Sequence, residues 1–481
     1  MLILAIDAGT THSRAALLTE TGEMDDLVTA PGPSARTADD GSHQFDVVAW
    51  WDDLHHSIER LTRGKTVAAV AATGMTRTQI LLDKELCPVH PAIGWADSRA
   101  DDVTTLAPLF GDAAEVEALN PFHPAARLWH LWRTRPDVLA AAARVCEPKD
   151  FINAKLTGTI ATDWISSARL KAASDALAAA ACHVEGVAAT MALVPPMMAP
   201  TDVLGTVQCD GLPALQGAKV AVSSFDTWCA VAGLGALGVG KAYNVAGTTE
   251  VVGAFADHPV TAKGLMAVTW GEGLHQLGGP SQCGGGTLDW ARDALNLDPS
   301  SATIGPAPLF IPYLNGERVP HWDPDRRGAF IGLSDGHDGP ALAYSVLEGL
   351  AFHTRLILAK IEAAGLAVDA VRMGGGLAHA GDGQVSAVKA TAWQRPVIIP
   401  SCEEPGLLGA AMVASVAMGR DASLAKAQER MGAAATTIDP DRRFKAFVDR
   451  RFEAFCAADA ALQPLSAALV ADGHLVAPPN P

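Results

Sequence analysis

The tetrapeptide Ala-Gly-Thr-Thr occurs twice, at Ala8–Thr11 and at Ala246–Thr249, and each copy lies between two apolar runs. Leu2–Ile6 precedes the first copy and Ser13–Leu18 follows it. A short apolar run, a polar turn with a glycine and a second apolar run predict a strand–turn–strand hairpin. The tip of such a hairpin offers backbone N–H groups and two hydroxyls, donors that suit phosphate oxygens. Asp7 beside the turn is the residue type that holds a bridging cation. A single segment of this kind also reads as an ordinary hairpin with a polar tip. The second copy stands almost half of a 481-residue chain away. That period predicts duplication of a whole domain, not a solenoid. Two like domains facing across a cleft would bring both turns to one polyphosphate.

Such a length exceeds what one core serves, so two domains are expected. Hydrophobic residues make up 49% and charged residues 19%, which fits a well-packed globule. The net charge of −17 comes without a basic block, which argues against a nucleic-acid partner. An anionic ligand on so acidic a chain must rely on backbone donors, a metal ion or a local arginine. Eight scattered cysteines without a Cys-x-x-Cys pair point to reduced thiols, a cytoplasmic location and no structural zinc. The chain opens directly on a strand, so no signal peptide is expected. The weakly polar runs are too short and glycine-rich to cross a bilayer, and no membrane partner is expected.

Helical periodicity predicts helices over 46–61, 124–134, 136–145, 151–156, 172–182, 227–237, 288–295, 341–364, 409–418 and 442–461. His55 and His56 on the first of these read as solvated or packed, not as ligands. Strands are expected over 66–72, 80–82, 92–95, 218–224, 370–373 and 396–399. The stretch 310–332, rich in Pro, Asp and Arg, is too long a loop to be idle. Gly238–Gly240 marks the expected boundary, giving domains 1–238 and 239–462 and a tail over 463–481.

The motifs, taken in order, resemble the FGGY carbohydrate kinases, a branch of the sugar kinase, heat-shock 70 and actin superfamily. They are Asp7–Thr11, Trp95–Arg99, Pro148–Asp150, Leu156–Gly158, Asp226, Gly247–Thr249, Pro312–Gly328, Gly374–Gly376 and Gly409–Ala411. The resemblance runs over nearly the whole chain, and Gly316–Gly328 is close to a family signature. It implies an α/β fold of two actin-like (ribonuclease H-like) domains, each a mixed sheet flanked by helices, with an ATP and sugar cleft between them. It also implies transfer of the γ-phosphoryl group of ATP to a hydroxyl of a small sugar, ketose or polyol, with Mg²⁺. A homodimer is compatible with it.

Roles follow for particular residues. Asp226 would be the general base; by position alone it also reads as a helix N-cap. Asp7 would hold Mg²⁺, or simply close its turn. Gly9, Thr10, Thr11 and Arg14 would meet transferred or terminal phosphates, and Gly247, Thr248 and Thr249 inner ones. Gly374, Gly375 and Gly376 would let the backbone approach adenosine, with Gly409 nearby; a glycine run equally reads as a turn. Arg77, Trp95, Asp97, Arg99 and Phe225 would shape the sugar site, although Arg99 also reads as a structural partner of Asp97. Three departures bear on substrate. Ser224 and Phe225 stand where many relatives carry two glycines, Gly74–Thr78 replaces Gln-Met-His or an Arg-Glu pair, and Ala390–Thr391 replaces Ala-Asp. They leave the sugar open. A sugar-independent ATPase and a catalytically inactive sugar sensor are the competing readings on the same fold.

Overall fold

In the computed structural model, Leu2–Ala8 (β1) and His12–Thr19 (β2) form the hairpin expected of them, with Asp7 opposite Arg14. Residues 1–100, 106, 108, 120–168, 170–171, 193–271 and 273–471 are described. The helix expected over 172–182 and the last residues of the expected tail lie outside them. Met24–Pro31 (β3) extends the hairpin, and Val67–Gly74 (β4) runs parallel to β1 on its other side. Val203–Thr206 (β5) and Lys219–Ala221 (β6) complete a six-stranded sheet of order β5-β6-β4-β1-β2-β3.

One face of this sheet is covered by Val47–Thr62 (α1) and Pro148–Thr157 (α3); Pro124–Thr134 (α2) lies between them in sequence. Leu4, Ile6, Val70 and Ala72, alternate residues on neighbouring strands, pack with Trp50, Trp51, Phe151 and Leu156. Asp46 caps α1, accepting from the amides of Val48 and Ala49. Asp226–Gly233 (α4) follows β6. The helix expected over 136–145 stops at Ala141, because Arg144–Cys146 pairs with Ile80–Leu82 as a strand.

The second sheet repeats the first. Ala242–Ala246 (β7), Glu250–Ala256 (β8), Met266–Thr269 (β9) and His275–Ser281 (β10) pair antiparallel. Val371–Gly374 (β11) and Val397–Pro400 (β12) run parallel to β7, and Ala435–Ile438 (β13) closes the order β9-β10-β8-β7-β11-β12-β13. In each sheet a Gly-Thr-Thr hairpin leads, a third strand extends it, and two later strands join the leading one in parallel. The duplication read from two tetrapeptides is thus a duplication of topology. Gly285–Leu295 (α5), Gly339–Ala363 (α6) and Gln384–Trp393 (α7) accompany this sheet, and Leu350, Phe352, Val371, Met373 and Trp393 share its core.

The chain divides into two compact units, Met1–Gly233 with Gly406–Gly432, and Leu234–Pro405 with Ala433–Pro481. The single break expected after residue 238 is therefore corrected: the first unit ends at Gly233 and is re-entered at Gly406. Pro405–Ala417 (α8) explains the return. Leu407, Leu408 and Ala410–Ala414 are all buried, so the helix needs cover on every side. The expected tail is also shorter, since Lys445–Ala471 (α9) stays helical past residue 463. Arg442–Ala471 is long and apolar enough to cross a bilayer by length and composition. It is instead pinned to the second unit by Phe455, fully buried, and by the Arg451–Glu348 and Arg355–Asp449 ion pairs.

Candidate active site

In the first unit three parallel strands end at one edge, where loops of α/β sheets carry function. Asp7 lies opposite Thr73 there, and the Thr73 hydroxyl donates to the Ser224 carbonyl, 2.8 Å away. The strand end that carries Asp7 and the segment that leads into Asp226 are thereby tied together. Gly406, at the start of α8, reaches the same place: a Cβ on it would stand 3.8 Å from Asp7 Oδ2.

Asp226 is the first residue of α4, and the first helical bond runs from the Cys229 amide to the Phe225 carbonyl. Phe225 is thus the cap. Asp226 does not bond the amides two or three residues on, as a capping side chain would. Its Oδ1 accepts from the Thr227 amide at 2.5 Å and from the Thr227 hydroxyl at 3.1 Å. Both bonds go to one oxygen, and Oδ2 has no hydrogen bond among the described residues. Burial raises the carboxyl above its ordinary value, against the pull of the two Thr227 bonds.

The approach to this residue is rigidly built. Ser223 adopts φ +62°, and the Ser224 hydroxyl donates to Asp163 Oδ1 at 3.0 Å. Asp163 shares Lys149 with Asp150, at 2.8 and 2.6 Å, and all three side chains are buried. Burial works to lower the Lys149 ammonium, yet the two carboxylates carry it upward. Asn153 donates to the carbonyls of Ala221 and Val222. Of this network the sequence showed only the motif Pro148–Asp150; the chemistry of its burial had no signal there.

Of the expected sugar residues, Arg77, Trp95 and Asp97 lie on two loops held by Arg127 and Glu147. Arg127 donates to the carbonyls of Arg77 (2.5 Å), Trp95 (2.6 Å) and Asp97 (3.3 Å), and burial pushes its guanidinium down to about 10. Glu147 Oε1 accepts from the Thr76 hydroxyl and the Arg77 amide, both at 2.7 Å. Burial, with the charge of Asp150 adding to it, pushes Glu147 up to about 8. Arg77 itself adopts φ +58°. Neither Arg127 nor Glu147 was singled out from sequence. Trp95 is 46% exposed, and its indole N–H donates to Thr10 Oγ1 at 3.2 Å, joining its loop to the first Gly-Thr-Thr turn. Asp97 makes the pair with Arg99 that is its alternative reading. It is 2% exposed and fully engaged, by Arg99 at 2.8 to 3.2 Å and by the amides of His43 and Arg99. Arg99 is thus its structural partner.

In the second unit Gly247–Thr249 lies at the end of β7, with both threonines exposed. The amides of Gly285 and Gly286 donate to the carbonyls of Gly247 and Thr248, so the start of α5 backs the turn. Gly375 has φ +91°, and a Cβ there would overlap the Ala246 carbonyl. The unit thus brings the two expected nucleotide loops together. Gly409 belongs elsewhere: it is buried in α8, and a Cβ would overlap the Cys229 carbonyl of α4. Its lack of a Cβ lets α8 and α4 approach closely.

The family model "FGGY family of carbohydrate kinases, N-terminal domain" matches residues 2–233, and its C-terminal counterpart matches 242–418. A glycerol kinase of Alkalilimnicola ehrlichii is 29% identical over 492 residues, covering 91% of this chain and 94% of that one. A xylulose kinase of Klebsiella pneumoniae is 27% identical over 404 residues, covering 78% and 82%. The solved structure of a ligand-bound xylulose kinase from Lactobacillus acidophilus superposes with a TM-score of 0.83 at 23% identity, covering 96% of this chain and 98% of that one.

Proposed function

This chain belongs to the FGGY family of carbohydrate kinases, and from that membership we propose that it phosphorylates one hydroxyl of a small sugar, ketose or polyol at the expense of ATP, with Asp226 as general base. The observation that carries the base assignment is the unengaged Oδ2 of a carboxylate that is not a cap and whose proton affinity burial has raised. Asp226 Oδ2 takes the hydroxyl proton while the sugar oxygen bonds the γ-phosphorus and the bridging P–O bond to ADP breaks. A raised proton affinity favours that transfer, provided the group stays ionised at the working pH.

Thr10, Thr11, Gly9 and Arg14 in the first unit, and Gly247, Thr248 and Thr249 in the second, are assigned to phosphate groups. Gly374–Gly376 is assigned to the nucleoside, where a side chain would block close approach. Asp7 is assigned to Mg²⁺: a carboxylate at a strand end beside a glycine turn and the start of a helix suits a hard cation. When bound, the ion neutralises phosphate charge. Arg77, Trp95 and Phe225 are assigned to the sugar, and Asp97 to positioning, since its oxygens are already engaged.

The test is a coupled ADP-release screen over tetritols, pentitols, ketopentoses, ketohexoses, sugar acids, deoxy sugars and glycerol. One chemical class should raise ADP release far above the sugar-free rate. Equal release with and without every sugar would leave an ATPase and remove the kinase reading.

A further inference from the structure

We propose that Cys283, Glu317 and His353 form a zinc site inside the second unit. The three come from distant segments: the turn after β10, the stretch between Leu309–Ile311 and Ala329–Ile331, and the middle of α6. Their ligand atoms lie within 4.8 Å of one another, and all three residues are buried. Sulfur, imidazole nitrogen and carboxylate oxygen together suit zinc rather than the oxygen-seeking Mg²⁺ or Ca²⁺.

Glu317 organises the group. Its Oε1 accepts from the amides of Gln282 and Arg318, each at 2.7 Å, which aims Oε2 at the cluster. Oε2 lies 2.9 Å from Cys283 Sγ and 3.3 Å from His353 Nε2. His353 Nε2 is fully buried and makes no hydrogen bond, although the oxygen is close. A buried nitrogen with no hydrogen bond beside a carboxylate oxygen is placed to share a metal ion with it. The other ring nitrogen, Nδ1, lies 3.4 Å from the Tyr313 hydroxyl, an outer partner of the sort that orients a ligating imidazole. Tetrahedral zinc, with bonds of about 2.3 Å to sulfur and about 2.0 Å to nitrogen and oxygen, matches the 3.3 Å between Nε2 and Oε2; the sulfur, which now donates its proton to Oε2, would move out from 2.9 Å to about 3.5 Å on losing that proton. The Ser281 hydroxyl donates to Oε2 at 3.0 Å and so helps to orient the carboxylate. Binding would displace the Cys283 thiol proton to solvent, leaving a thiolate on the metal.

Cys283 immediately precedes Gly284–Gly286, which backs the Gly247–Thr249 turn. Zinc here braces that turn from behind. The sequence argument against structural zinc rested on the lack of Cys-x-x-Cys pairs, and that pattern is blind to ligands drawn from three segments.

The experiment measures metal content by mass spectrometry after expression with zinc supplied, for the parent, Cys283→Ser and His353→Gln, and the near-ultraviolet spectrum of parent expressed with cobalt. The parent should hold about one zinc per chain, each variant at least fivefold less, and the cobalt protein should show a thiolate-to-metal band. A second readout guards against misfolding: folded, monodisperse variants by circular dichroism and gel filtration. A parent with less than a tenth of an equivalent of any transition metal would overturn the proposal. Zinc retained at parental level in both variants would do the same. If both variants misfold, the parent's metal content and cobalt band decide alone.

Discussion

Arg127 Nη1 lies 2.5 Å from the carbonyl oxygen of Arg77, one of three loop carbonyls that this single buried guanidinium holds. Glu147 holds the amide of the same residue. Arg77 is thus clamped from both sides of its own backbone, in a left-handed conformation that a non-glycine residue adopts at a cost. Arg127 and Glu147 thus act on a candidate sugar residue through its backbone.

Arg127→Lys should loosen the sugar site selectively. A lysine cannot span three carbonyls with one planar fork. Each charged hydrogen bond is worth about 1.5–3 kcal/mol, and 1.4 kcal/mol is tenfold, so the KM for the sugar should rise roughly tenfold or more. The KM for ATP should stay within about twofold. Steady-state kinetics in both substrates checks this, and an unchanged sugar KM would show that the clamp does not position the site.

Glu147 gives the protein a pH dependence of known sign. Its carboxyl titrates near 8 in the folded chain against an ordinary value of 4.5. The folded state therefore holds the proton more tightly, and stability falls as pH rises from about 5 through about 8. Glu147→Gln keeps the acceptor for Thr76 and Arg77 and carries no charge to bury. The parent Tm should drop across that window more than the variant Tm, by an amount equivalent to a few kcal/mol at most. Parallel curves for the two proteins would contradict the assignment.

Two glycines separate ligand approach from packing. Gly375→Ala places a Cβ against the Ala246 carbonyl at a left-handed φ, so both Tm and the KM for ATP should change, with about 1–3 kcal/mol of strain. Gly409→Ala wedges α8 from α4 and should lower Tm without moving the KM for ATP in the protein that remains folded. Thermal melts with ATP titrations distinguish them. A Gly409→Ala protein of parental Tm and weakened ATP binding would return Gly409 to the nucleotide.

The repeated tetrapeptide carried most of the fold, because a hairpin turn and its flanking strands are local and their duplication is visible as text. Gly375 was legible for the same reason. Asp226 was singled out with its cap reading left open, and only the helical register, with Phe225 as cap, speaks against the cap. Arg127, Glu147 and the Lys149–Asp163 pair were not legible as a network. An arginine on a predicted amphipathic helix reads as solvated, and only tertiary packing shows it buried against three carbonyls. At Gly409 the sequence signalled close approach without saying to what, and the structure places the Cys229 carbonyl there. The return of the chain at Gly406 has no local signal beyond a helix apolar on every side.

The most direct test of the account is the single-turnover rate of Asp226→Asn with the sugar found in the screen. Asparagine keeps the size of the side chain and an oxygen for Thr227 but cannot take a proton at Oδ2. General-base help is worth about 10²–10⁴-fold, so the rate should fall by about two orders of magnitude or more while ATP affinity and Tm hold. A folded Asp226→Asn protein whose single-turnover rate stays within a few-fold of the parent would contradict the base assignment.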